Sequence, residues 1–113
     1  MILRIWTGWT TPANAAAYER LLLEQIFPAI AAKGVANYRG IELLRREVGD
    51  EVEFTTIMRF DDLDAVREFG GDDYERAYVP PQARAVLSRF DERSRHYELR
   101  ARIRYGSTEG PAG

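Results

Sequence analysis

The chain has 113 residues, no cysteine, and sixteen basic against eighteen acidic residues, for a net charge of −2. One domain of this length buries roughly two thirds of its unfolded surface and needs no staple; without cysteine, disulfides, thiolate nucleophiles, zinc ribbons and iron–sulfur clusters are excluded. Charges of both signs are interspersed rather than gathered into a basic face, so nucleic acid is not an expected partner.

Met1 to Trp9 alternates Leu3, Ile5 and Thr7 against Arg4, Trp6 and Gly8 and reads as a first strand. Arg4 interrupts its apolar run and no small-residue cleavage site follows, which distinguishes it from a signal peptide. Thr11 and Pro12 form a helix start, and Ala13 to Lys33 carries Tyr18, Leu22, Ile26, Ala29 and Ile30 at helical spacing. Pro28 should kink that helix or end its regular part near Gln25 to Phe27, and Gly34 should stop it. The longest apolar-rich stretch, Leu21 to Val35, is broken by Glu24, Gln25, Pro28 and Lys33 and cannot span a bilayer. A cytoplasmic protein with no membrane partner is expected.

Ala36 to Glu47 reads as a second strand, with Ile41 and Leu43 on one side and Gly40, Glu42 and Leu44 on the other. Gly49 and Asp50 make a tight turn into a third, Glu51 to Phe60, whose Phe54, Met58 and Phe60 share a face; so short a loop pairs the two antiparallel. A short helix follows over Asp62 to Phe69, with Leu63, Val66 and Phe69 buried, then a further helical turn or two over Asp72 to Val79. Pro80 and Pro81 break this, and Gln82 to Phe90 is expected to restart a helix with Ala83, Val86, Leu87 and Phe90 inward. Asp91 to Ile103 alternates Tyr97, Leu99, Ala101 and Ile103 against His96, Glu98, Arg100 and Arg102 and is read as the last strand. The order β-α-β-β-α-β predicts an α+β, ferredoxin-like domain over residues 1–105, a four-stranded antiparallel sheet with helices on one face. Residues 106–113 are expected to form a disordered tail.

One helix layer leaves the other sheet face bare. His96, Glu98, Arg100 and Arg102 would suit a wet face, but Trp6 shares a side with Arg4, and Leu44 or Ile57 must point outward as well. That mixture points to a second sheet packed on the first, supplied by a two-fold copy of the chain.

With these elements in place the chain resembles the antibiotic biosynthesis monooxygenase family. The resemblance runs from about Ile2 to Ile103 and rests on NYRGIELLRRE at Asn37 to Glu47, FDDLDAVREFGG at Phe60 to Gly71, DYERAYVPPQARAVLSRFDER at Asp73 to Arg93, and HYEL at His96 to Leu99. It implies a homodimeric α+β barrel with a ligand cavity between sheet and helices in each subunit. The implied function is cofactor-independent monooxygenation of an aromatic or polyketide-like molecule. The alternative is a non-catalytic dimeric module that binds a small hydrophobic ligand or only assembles. The first strand has no asparagine and the second helix no histidine, where haem-degrading relatives place haem-directed groups, and this departure argues against haem. Phe60 stands where similar sequences often have tryptophan. No cofactor is expected.

The candidate site residues follow from their chemistry. His96, the only histidine, has an ordinary pKa near 6.5 and suits a general base; removing a proton from a phenol or anthrone creates an anion electron-rich enough to reduce oxygen. Arg4 and Arg100 would hold the enolate or phenolate; the alternative is that salt bridges to Glu98, Glu42 or the partner subunit use them. Trp6 or Trp9 would stack on a planar ligand, and Tyr74 and Tyr78 would hydrogen-bond it at the pocket mouth; the alternatives are core or interface anchors for the first pair and loop shaping for the second. Asp61, Asp62, Asp64, Asp72 and Asp73 lack metal-loop spacing and read as caps and solvated surface, so no metal is expected. Ser88 and Ser94 have no oxyanion-hole glycines nearby.

Overall fold

A computed structural model gives the fold and describes residues 1–106. β1 (Ile2–Thr10) leads into α1 (Pro12–Leu21), a π-helical stretch (Leu22–Ile26) and α2 (Phe27–Ala32). β2 (Tyr38–Val48) and β3 (Glu51–Phe60) form a hairpin, and α3 (Leu63–Gly70), α4 (Pro81–Arg84), β4 (Arg89–Phe90) and β5 (Arg95–Glu98) follow. The tail expected from residue 106 lies, from residue 107 onward, outside the described residues. No helix among the described residues is long and apolar enough to cross a membrane.

Local chemistry sets the starts and stops. The Thr11 side chain accepts from the Asn14 amide with Pro12 at the first helical position, and Asp62 accepts from the Ala65 amide at 2.9 Å to open α3. Gly49, at φ 60, makes the left-handed turn the β2–β3 hairpin requires. Pro28 has no amide to donate, and the helix accommodates it by widening ahead of it. The Phe27 amide donates five residues back to the Leu22 carbonyl. The irregularity therefore begins at Leu22, about a turn before the expected Gln25 to Phe27, and the helix resumes through α2.

The sheet is antiparallel throughout, in the order β2-β3-β1-β4 with β5 also on β1. β3 occupies one edge of β1 along its whole length, so β4, opposite Gly8 and Trp9, and β5, opposite Ile2 to Ile5, share the other edge. The fourth position of the ferredoxin-like sheet is thus filled by two short segments.

Three expectations of the sequence are corrected here. The strand read over Asp91 to Ile103 joins the sheet only over Arg95 to Glu98. Between β4 and β5 the chain turns aside to the preceding loop, where the Ala77 amide donates to Glu92 and the Ser94 amide to Glu75. Past Leu99, whose amide donates to Met1, there is no more of β1 to pair with; alternation alone cannot extend a strand beyond its partner. The helix expected over Gln82 to Phe90 ends at Arg84, because the Ser88 amide is taken by the Trp9 carbonyl at 2.7 Å and the chain joins the sheet. Asp72 to Val79 is a turn followed by extended chain, with Arg76 bridged to Arg93, so the four-residue spacing of Tyr74 and Tyr78 is not helical.

The core lies between the helices and one sheet face. β3 supplies Val52, Phe54, Met58 and Phe60 to it, and the helical run supplies Ala15, Tyr18, Leu22, Ile26 and Ile30. Phe54 is fully buried with its ring edge-on to Tyr18, centroids 5.0 Å apart. Such an aromatic pair adds about 0.5–1.5 kcal/mol to the burial itself. The β1–β3 register sets Ile2, Arg4, Trp6, Gly8 and Thr10 opposite Phe60, Met58, Thr56, Phe54 and Val52. That phase of β1 consequently faces the helices. His96, opposite Arg4, faces them as well. The reading that placed Arg4, Trp6 and His96 on the bare face is overturned. The bare face carries Leu3, Ile5, Trp9, Leu44, Ile57 and Tyr97 instead, interleaved with the surface pairs Arg46–Glu53, Arg59–Glu42 and Arg89–Glu51.

Candidate active site

Sheet and helices do not close completely on one another. Between them runs a cleft of about 470 Å³, mouth included, in which the centre of a water molecule has about 50 Å³ to move. Aliphatic walls come from Leu22, Ile26 and Ile30 on the helical side and Ile41 and Met58 on the sheet, and the aromatic rings are Trp6, Tyr18, Phe27, Phe69 and Tyr78. Polar side chains are few: Arg4, Thr56, Ser94 and the two tyrosines border the space, and among the described residues no aspartate or glutamate does. An apolar slot with a few polar groups is the usual form of a small-molecule site.

Arg4 is the charged group of this cleft, and it is 2% exposed. Its guanidinium donates to the Tyr74 carbonyl, to the Arg76 carbonyl at 3.0 Å and to His96 Nε2 at 3.0 Å, while the Phe69 ring lies 5.2 Å away. Burial pushes its pKa down to about 10, so it keeps its charge at neutral pH. Because a guanidinium cannot accept, His96 Nε2 must, which assigns the ring proton to Nδ1. Nδ1 is itself buried with no partner. Burial first, and the neighbouring Arg4 charge second, bring His96 down to about 4, against a smaller upward pull from Glu75. The imidazole is neutral at pH 7.

The other sequence candidates divide between the two sheet faces. Trp6 is a cleft wall, fixed by its indole N–H donating to the Asp91 carbonyl at 2.7 Å. Tyr78 stands at the cleft edge, 43% exposed, its ring beside Phe69 and under the Lys33 ammonium at 4.3 Å. Tyr74 packs edge-on against His96, centroids 5.1 Å apart, and reaches Arg4 through its carbonyl, with its ring outside the cleft. His96 likewise stands one contact behind Arg4 rather than on the cleft wall. Trp9 lies on the opposite face of the sheet, with Arg89 stacked on it at 3.7 Å, and Arg100 is an exposed side chain 3.6 Å from Glu98. The structure does not bring these last two to the cleft.

Three polar cleft residues were not among the site residues expected from the sequence. Tyr18 was legible as a core position of a helix, but periodicity gives a side chain's face and not where its hydroxyl ends; burial raises that hydroxyl's pKa well above the ordinary range. Thr56 belongs to the inward phase of β3, which the aromatic residues of that strand do signal. Ser94 lies where the chain leaves the sheet between β4 and β5, which no sequence pattern marks. Among the described residues no three His, Asp or Glu side chains converge as a metal site.

A single helix layer on a split antiparallel sheet, with an apolar cleft between them, defines an α+β protein with the fold of the antibiotic biosynthesis monooxygenases. Similar solved structures include a candidate antibiotic biosynthesis monooxygenase from Bacillus cereus, at 12% identity over 92% of this chain and 97% of that one, with a TM-score of 0.60. A monooxygenase from Streptomyces coelicolor, solved with nanaomycin D, matches at 13% identity over 93% and 92% of the two chains, TM-score 0.58. SnoaB, a cofactor-independent oxygenase from Streptomyces nogalater, matches at 18% identity over 94% and 98%, TM-score 0.52. At these identities the likeness is one of fold. No family model and no curated protein matches the chain.

Proposed function

We propose that the protein is a cofactor-independent monooxygenase that oxidises a planar aromatic or polyketide-like molecule in the cleft. The observation that carries this reading is the cleft itself: aromatic and aliphatic walls around one buried guanidinium, in a fold shared with an oxygenase that works without a cofactor. The chemistry needs no other reductant. Converting an anthrone methylene to a quinone carbonyl is a four-electron oxidation, and O₂ accepts those four electrons, one oxygen entering the product and the other leaving as water. What a site must provide is the substrate anion. Arg4 stabilises the developing oxyanion by charge-assisted hydrogen bonds. As Arg4 Nη1 turns from His96 Nε2 to that oxygen, it frees the Nε2 lone pair, and the substrate proton passes to it beside the displaced guanidinium, since His96 stands behind Arg4 and not on the cleft wall; His96 is kept as the general base. The supply of a negative charge beside Arg4 at the same moment raises the proton affinity of the imidazole.

Homodimerisation belongs to the same proposal. Leu44 is 49% and Tyr97 50% exposed on the bare sheet face, beside Leu3, Ile5, Trp9 and Ile57, an apolar content that a second sheet would cover. Leu44→Asp should convert the dimer to monomer in sedimentation velocity; a monomer for the unaltered chain would refute the assembly.

The test of the activity is oxygen uptake with an anthrone in air, followed by ¹⁸O₂ labelling of the quinone. One labelled atom per product, and a rate that falls at least about tenfold in Arg4→Met and in His96→Ala, is expected; a rate equal to uncatalysed oxidation would refute it. A second reading, non-catalytic binding of a small ligand, is favoured by the low proton affinity of His96, held at about 4. It is supported if an aromatic ligand binds and oxygen uptake never exceeds the background.

A further inference from the structure

We propose that the cleft takes its ligand as a planar aromatic monoanion, a molecule carrying one ionised oxygen group, and that Arg4 is the residue selecting that charge. This deepens the reading above and rests on its placement of the ligand in this cleft.

The first support is an imbalance of charge. Each ion pair among the described residues lies on the surface between other side chains, and Arg4, the one charged side chain among the buried residues described, is in none of them. Three of its five N–H donors are met by two carbonyls and an imidazole, none of which neutralises the cation. The acids on either side of Tyr74 in the chain are engaged elsewhere: Asp73 and Glu75 both contact Arg93, at 2.6 and 3.3 Å. Burying an unneutralised cation is costly, and a partner supplied from outside the chain removes that cost.

The surroundings give the second support. Among the described residues no carboxylate borders the cleft, whereas Lys33 sits over two of its aromatic residues, Phe69 at 4.7 Å and Tyr78 at 4.3 Å. A cation at the edge and a second one inside, separated by aromatic surface, make an approach that favours negative charge and opposes positive. Were Arg4 only a clamp on the loop of Tyr74 and Arg76, neither the absence of acids from the cleft nor the second cation at its edge would follow.

Isothermal titration calorimetry of the intact chain with 2-naphthoate and with its neutral isostere 2-naphthamide tests the proposal at pH 7. Naphthoate should bind at least about tenfold more tightly, a preference that rises at low salt. Arg4→Met should remove the preference by weakening naphthoate alone, and Arg4→Lys should retain most of it. Equal binding of the two probes by the unaltered chain, or a preference that survives Arg4→Met, would overturn the proposal. Should Arg4→Met fail to fold, the unaltered chain and Arg4→Lys still decide. A pH titration with 2-naphthol separates carboxylate from phenolate: ionisation of the bound naphthol at a lower pH than in water identifies a site that also takes phenolates. Oxygen uptake without a charge preference would sink this inference and leave the oxygenase reading standing; a charge preference without oxygen uptake would do the reverse.

Discussion

The proton affinity of His96 is the most direct check on the arrangement around Arg4. Half-buried and facing a guanidinium, the ring is brought from 6.5 to about 4, and as the only histidine it gives a single imidazole signal by NMR. The unfolded chain binds the proton near pH 6.5 and the folded chain only near 4, so stability is complete above 6.5 and is lost as pH falls toward 4. Between pH 7.5 and pH 5 linkage makes this loss about 2 kcal/mol at full shift. Solvent screens a half-buried ring, and about 1 kcal/mol is the fairer expectation. That window lies above the carboxylate range, where Glu51, Glu53, Asp61 and Asp73 are already held low by their arginine partners. Urea unfolding at the two pH values should therefore show the loss in the unaltered chain and little of it in His96→Gln. Arg4→Met should raise the NMR midpoint, yet not fully to 6.5, since burial is the larger cause. A midpoint near 6.5 in the unaltered chain, or equal pH slopes for it and His96→Gln, would refute the contact.

Other substitutions probe the frame of the cleft. A Cβ added at Gly8 would stand 2.6 Å from Trp6 Cη2 and 3.0 Å from Leu87 Cδ2, while the indole is tethered to Asp91. Gly8→Ala should cost about 1–3 kcal/mol in denaturant unfolding and shift tryptophan emission; an unchanged spectrum would mean the ring is not packed there. Phe54→Ala, at a fully buried position against Tyr18, should cost about 3–5 kcal/mol. Asp62→Ala removes the cap of α3 and should cost about 1 kcal/mol, measurable as a lower urea midpoint with the slope unchanged.

Much of the fold could be read along the chain because some residues leave the backbone few options. Thr11 with Pro12, Asp62 and Gly49 mark element ends by chemistry that acts within a few residues. β3 sets its large residues Phe54, Met58 and Phe60 two or four apart, so that its inner face needs no tertiary context. β1 is different. One phase offers Leu3, Ile5 and Trp9 and the other Ile2, Trp6 and Gly8, both partly apolar, so its own pattern cannot choose a face.

That choice came from the register with β3, and it carried the candidate site with it: pairing Arg4 with Met58 turned Arg4, Trp6 and His96 toward the helices and sent Trp9 to the other side. The ends of β4 and β5 were likewise set at a distance, by carbonyls of Trp9, Glu75 and Met1 that capture amides far along the chain. By itself, then, the sequence determined the order and type of most elements and the helix-packed face of β3, since these follow from short-range periodicity and capping. Only the tertiary structure decided which side of β1 is inside, where the last strand breaks, and that an arginine stands between the lone histidine and the cleft, because each depends on pairing between residues distant in sequence.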